Sequence, residues 1–233
     1  MTLTVRRSSE RGHADHGWLD THHTFSFADY YDPAHMGFRS LRVINQDRIA
    51  PGRGFPTHPH RDMEIFSYIL DGVIAHRDSM GNGRELRPGE IQLMSAGTGV
   101  THSEHNPDPD APLHLLQIWI EPAQRGLQPS YTEWKPAEDG AVGKDVVVIS
   151  PDGRDGSAVI HQDAVVRRLL LETGDEVHHE VQSGRGAWLQ VIRGQIDAAD
   201  QSLTAGDGAA TDDVGTLPLV ARAPSEALLF DLA

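Results

Sequence analysis

The 233-residue chain contains no cysteine. Disulfides, thiolate nucleophiles, Cys-ligated zinc and iron–sulfur clusters are therefore excluded, and any redox chemistry must come from a metal held by other side chains or from an organic cofactor. No stretch approaches 18 consecutive apolar residues, so no membrane-spanning helix is expected. The first residues, MTLTVRRSSERGHADHG, lack the apolar centre of a secretory signal, which makes the cytoplasm the expected location. Positive charge is also scarce: 20 Lys and Arg stand against 34 Asp and Glu, a formal net charge of −14. A surface this acidic repels phosphate backbones and anionic lipid, so neither direct nucleic-acid binding nor membrane association is expected, while a basic protein partner stays compatible. The basic pairs Arg6-Arg7 and Arg167-Arg168 are too small for a nucleic-acid patch.

What is present points to short strands. The composition includes 23 Gly and 14 Pro, which favours turns over long helices. Apolar or alternating runs stand at 41–45, 64–70, 72–77, 90–95 and 113–120, separated by PGRGFP, SMGNGRELRPGE, SAGTGV and NPDPDAP. Such spacing predicts an antiparallel sandwich or barrel. Residues 121–144, rich in Pro, Gly and charge, read as a connection between two domains, after which runs resume at 146–150, 158–162, 169–172, 187–198 and 227–232. The halves resemble each other: YILDGVIA at 68–75 matches LQVIRGQI at 189–196, and RPGE at 87–90 matches TAGD at 204–207. The expectation is a duplicated barrel.

Histidine is the conspicuous residue, with 14 in the chain. In Gly52-Arg-Gly-Phe-Pro-Thr-His58-Pro-His60-Arg-Asp-Met-Glu64, alternate side chains of a strand share one face, so His58, His60, Asp62 and Glu64 have the same parity. His102 and Glu104 share parity in Gly97-Thr-Gly99-Val-Thr-His102-Ser-Glu104, where the glycines suit a sharp turn. If the two strands are neighbours, imidazoles and a carboxylate converge inside an apolar wall. Nitrogen and oxygen donors without thiolate suit iron(II), manganese, nickel, copper(II) or zinc. Parity admits either Glu64 or Glu104 as the carboxylate. The other histidines have blander readings. His13, His16, His22 and His23 fit no single face and are expected in loops or in outer support, and His76 with Asp78 is expected in a solvated turn.

The G-x5-H-x-H-x3-E spacing from Gly52 to Glu64 and the G-x4-H-x3-N spacing from Gly97 to Asn106 resemble the two cupin motifs. RGHADHGWLDTHHTFSFADYYDP at 11–33, FPTHPHRDMEIFSYILDG at 55–72 and MSAGTGVTHSEHN at 94–106 resemble the pirin family more specifically. That resemblance implies an all-β bicupin of two consecutive jelly-roll barrels, with a metal-binding N-terminal domain at 1–136 and a degenerate, metal-free C-terminal domain at 137–233. It implies one divalent metal, iron(II) first, with Zn, Mn, Ni, Cu or Co compatible, held by His58, His60, His102 and Glu104. Glu64 is then a nearby second carboxylate, and Glu104 or Glu64 a catalytic base. The implied activity is that of a quercetin 2,3-dioxygenase acting on a small, flavonol-like aromatic with dioxygen. Phe25, Phe55 and Met94 are candidates for the wall around that ring. The alternative is a redox-responsive regulatory protein with a protein partner. In the second half, the positions matching His58 and His60 fall at Glu180 and Gln182, and no histidine follows His179.

Overall fold

Short alternating runs ended by Gly, Pro and Asp leave little room for helix, and the computed structural model is accordingly built of strands. It describes residues 1–136 and 143–233. Two 3-10 turns, Ser8–Glu10 and Arg154–Gly156, are the helical elements among the described residues. None of the described helices is long and apolar enough to cross a membrane.

The histidine-bearing unit comprises Gly12–Pro136 and Ala158–Gln162. One sheet runs, in spatial order, Ser130–Trp134, Ile91–Ser95, Glu64–Asp71, Leu113–Ile120, Leu41–Ile49, Leu19–His23 and Gly12–Asp15. The other runs Gly54–His60, Val100–His105, Ile74–Asp78 and Gly83–Leu86. Side chains from both sheets meet in the interior. At one end Ile49, Ile69 and Leu113 pack with Ile74 and Leu86. At the other, Ile65 and Met94 pack with Val100. This is the jelly-roll arrangement that the strand pattern and the family resemblance imply. Each buried aliphatic side chain contributes about 1.5–3 kcal/mol through removal from water.

The second unit comprises Met1–Arg11, the described residues of Ala137–Ser157, and Asp163–Ala233. Its larger sheet contains Thr4–Arg6, Gly208–Thr211, Gly186–Arg193, Ser225–Leu232, Ala164–Leu171 and Asp145–Ser150 in that order. Its smaller one contains Glu176–Val181, Gly215–Ala221, Gln195–Ala198 and Gln201–Thr204. The interior is aliphatic, with Val177, Val181, Leu189, Val191, Leu217 and Leu229 in one cluster. Glu180 and Gln182 are exposed. The N-terminal strand is pinned here by Arg7 Nη1, 3.0 Å from Asp207 Oδ2, and by the Ser8 amide, which donates to Asp207 Oδ1 at 2.7 Å.

The internal repeat is explicit in backbone bonding. The Gly89 amide donates to Ile69 O and the Ile69 amide to Glu90 O. In the second unit the Gly206 amide donates to Val191 O and the Val191 amide to Asp207 O. Gly89 and Gly206 have φ of 82° and 87°, and the strand-linking Gly72 and Gly194 have 84° and 79°. Glycine tolerates this left-handed conformation at no steric cost.

Two details of the organisation go beyond the sequence expectation. The division at 136/137 borders residues 137–142, so it falls outside the described residues; a single cut also does not describe the units, because 1–11 and 158–162 each belong with the far half of the chain. The supposed connection 121–144 is not wholly irregular: Ser130–Trp134 forms an edge strand, with Tyr131 opposite Met94. Its polar sequence matches an edge position, where only Trp134 is buried.

Candidate metal centre

Strand pairing brings the two histidine segments together. Gly54–His60 lies antiparallel to Val100–His105, with His58 opposite His102 and Val100 opposite His60. The register then slips so that Glu104 faces Phe55, a bulge in the His58 strand. Bulges re-aim side chains, and here the His58 ring folds back so that Nδ1 lies 2.8 Å from Pro56 O. A proton on Nδ1 donated to that carbonyl leaves Nε2 as a free lone pair. Gly54 permits the close approach, since a Cβ there would collide with Glu104 O and the His105 backbone. Gly97, at φ 45°, makes the turn before His102, and a Cβ there would strike Leu127 O.

His58, His60 and His102 place ring nitrogens within 4.8 Å of one another. His58 Nε2 and His102 Nε2 are 3.1 Å apart. Burial, with the neighbouring imidazoles adding repulsion, lowers His60 to about 4 and His102 to about 3. Both rings are therefore neutral near pH 7, with lone pairs available. His102 Nδ1 is buried without a hydrogen-bond partner. Neutral, crowded imidazoles with no thiolate nearby fit a divalent transition ion.

Glu104 belongs to a second group, with His76 and His102, whose ligand atoms also lie within 4.8 Å of one another. His102 is common to both groups. The Glu104 carboxylate is held on three sides. Gln92 Nε2 donates to Oε1, and Gln117 Nε2 donates to Oε2 at 2.8 Å. Ser67 Oγ lies 2.9 Å from Glu104 Oε1 and 2.8 Å from Gln117 Oε1, and shares its one proton between them.

Glu64 does not join these groups. Its Oε2 accepts from Ser95 Oγ at 2.7 Å and from the His161 amide at 3.2 Å. Burial raises its pKa against these hydrogen bonds. The shared parity of Glu64 with His58 and His60 does not survive because the chain breaks between His60 and Glu64, where Asp62 takes φ 49° and a new strand in the other sheet begins.

His76 and Asp78 correct the solvated-turn expectation. Both side chains are fully buried, with His76 Nε2 3.3 Å from Asp78 Oδ2. They lie inward on Ile74–Asp78, opposite Glu104 and His102. Of the early histidines, His13, His22 and His23 are in strands, whereas His16 lies in the connection between Gly12–Asp15 and Leu19–His23. His13 and His22 face each other across two strands, their rings stacked at 4.4 Å and grouped with Asp20 on the surface. His23 is buried, with Nδ1 2.7 Å from Asn45 Oδ1.

A cavity of about 310 Å³ opens against His58 and His60. Leu19, Phe27, Phe55 and Trp119 give it apolar walls, and Thr21, Asn45, Asp47 and Gln117 give it a polar one. Of the expected wall residues Phe55 is in place, packed 6.4 Å from the His58 ring, whereas Phe25 and Met94 are core side chains. Sequence reasoning missed Asp47. Burial, reinforced by the charges of Glu104 and Asp20 and held back by Thr21, pushes it up to about 7.

Comparison with known proteins agrees with this architecture. The pirin family model matches residues 4–120, and a model described as the quercetinase C-terminal cupin domain matches 147–232. The chain is 48% identical over 230 residues to the quercetin 2,3-dioxygenase of Escherichia coli K12, covering 99% of this chain and 98% of that protein. The crystal structure of YhhW from Escherichia coli superposes with a TM-score of 0.96 at 47% identity, covering 100% of this chain and 98% of that one. The same bacterial pirin in complex with nickel(II) gives 0.94 at 47% identity, with 99% of each chain covered. Matched over its length by both family models and by these relatives, the chain belongs to the pirin family of bicupins.

Proposed function

We propose that the protein is a metal-dependent dioxygenase of the quercetin 2,3-dioxygenase type, opening the heterocycle of a flavonol with dioxygen and releasing carbon monoxide. The observation that carries this reading is the convergence of His58, His60 and His102, with Glu104 beside His102, next to a cavity whose wall includes His58 and His60. These four side chains would hold the ion. Iron(II) is the first candidate from the family resemblance, and the nickel(II) complex of the related pirin adds nickel. A bound divalent ion would supply Lewis acidity toward the flavonol 3-hydroxyl and open positions for substrate and dioxygen.

The chain's own groups do the rest. Phe55 and Trp119 offer apolar surface to a planar ring and keep water from it. Glu104 Oε1 already faces Ser67 and Gln92, whereas Oε2 carries one hydrogen bond, from Gln117. Oε2 is therefore the oxygen with capacity to accept the 3-hydroxyl proton. Gln92 and Gln117 fix its aim. Glu64, engaged with Ser95 and His161, is the weaker candidate for the base.

Protein loaded in turn with iron(II) and nickel(II) should take up oxygen and release carbon monoxide with quercetin. Glu104→Ala should lower turnover at least about 100-fold, while Glu64→Gln should stay within a few-fold of wild type. Absence of oxygen uptake with every divalent transition metal tried would sink this reading.

A further inference from the structure

The cavity wall across from the imidazoles is polar where a jelly-roll interior is ordinarily aliphatic. Thr21, Asn45, Asp47 and Gln117 come from three neighbouring strands, Leu19–His23, Leu41–Ile49 and Leu113–Ile120. Two of these groups are occupied. Asn45 Oδ1 is paired with His23 Nδ1, and Gln117 bonds Glu104. The other two are engaged mainly with each other. Thr21 and Asp47 stand directly opposite across the strand pair, and the Thr21 hydroxyl partly offsets the burial of the Asp47 carboxyl, but neither Thr21 Oγ1 nor Asp47 Oδ1 has a further hydrogen-bond partner.

Asp47 is 3% exposed. A buried carboxyl group with a single hydroxyl donor is costly to ionise, and a protein retains one where something else compensates it. Since Oδ1 and Thr21 Oγ1 are both enclosed, that compensation has to come from the side on which Asp47 lines the cavity. A carboxyl acceptor there complements a donor, which a ligand hydroxyl supplies. An ammonium would lose its hydration among Leu19, Phe27 and Trp119.

We propose that Asp47 is a substrate-anchoring and specificity-determining residue: its carboxyl group, held by Thr21, accepts a hydrogen bond from a phenolic hydroxyl of a planar, polyhydroxylated aromatic seated in the cavity. This rests on the reading of the cavity as a flavonol site. The hydroxyl concerned is a second one, distinct from the 3-hydroxyl that faces the metal ligands. The pair thereby selects flavonols hydroxylated away from the reacting ring atoms over those that carry the 3-hydroxyl alone.

The test is anaerobic binding to the nickel-loaded full chain, followed by quenching of tryptophan fluorescence, since Trp119 lines the cavity. Two probes are compared: quercetin, and 3-hydroxyflavone, which lacks the other hydroxyls. Asp47→Leu should weaken quercetin about tenfold or more, the effect of a lost hydrogen bond to a charged group. It should change 3-hydroxyflavone less than about twofold. Asp47→Asn, which keeps size and an acceptor oxygen, should recover most of the quercetin affinity. Unchanged quercetin binding by Asp47→Leu overturns the assignment, as does an equal loss for both probes with metal content unaltered. Wild-type protein that binds neither probe overturns the flavonol reading itself, and the anchor with it.

Discussion

Replacing Asp47 by Asn should make the protein's stability less dependent on pH, in a direction and window set by one carboxyl group. Burial lifts Asp47 from 3.8 to about 7 in the folded chain. A group that is harder to ionise when folded favours the folded state while protonated. That contribution is full below pH 4 and is lost as the pH climbs through about 7. Each pH interval of one within that window corresponds to about 1.4 kcal/mol. Wild type therefore forfeits about 4 kcal/mol that Asp47→Asn keeps. Water entering the cavity reduces this figure without changing its sign. All other titrating groups are common to both proteins, so the difference isolates Asp47. Calorimetric unfolding of metal-free protein across this range should show the Asn variant gaining on wild type, by on the order of 10 °C in midpoint, and then holding level. A cation near the carboxylate favours its ionised form, so metal loading should shrink the gap. Parallel stability curves, or a gap that narrows as the pH rises, would refute the account.

Further outcomes follow from the imidazole cluster and the turn beside it. His102→Ala removes the ring shared by both ligand groups. It should lower metal affinity by at least about 100-fold, more than the 10–100-fold typical of an outer-shell partner, as measured by metal content after dialysis. Gly97→Ala places a Cβ against Leu127 O at a φ of 45°. Denaturant unfolding should show a loss larger than the roughly 1 kcal/mol that Gly-to-Ala changes gain at compatible sites, and an unchanged midpoint would contradict the close approach.

The histidine cluster was legible because alternation carries much of it. His58 with His60, and His102 with Glu104, each share a strand face, and strand pairing then brings the two segments side by side. Parity could not separate Glu64 from Glu104, since it holds only within one strand and Asp62 ends the first one. The bulge beside His58 left no mark in the sequence, because one inserted residue is defined by the partner strand rather than by composition. His76 and Asp78 were assigned to the adjacent SMGNG turn, although Ile74, His76 and Asp78 alternate with the exposed Arg77. Thr21, Asn45 and Asp47 were passed over in a similar way. Leu19-Asp-Thr-His-His23 alternates buried with half-buried positions, so its inward face holds two polar residues. Polar residues at inward positions of otherwise apolar strands were the available signal. The pattern reads as imperfect amphipathicity until the cavity is known.

The placement of Thr4–Arg6 has a consequence for synthesis. The segment emerges from the ribosome before anything it can pair with. The Ser8 amide and its acceptor on Asp207 are separated by 199 positions. At about 5–20 residues per second, roughly 10–40 s of translation separate the two. The histidine-bearing barrel waits as well, for the segment 158–162 whose His161 amide reaches Glu64. Thr4–Arg6 is thus made well before it is placed, and a nascent chain stalled after the histidine-bearing half holds an unfinished barrel and a strand with no sheet to join.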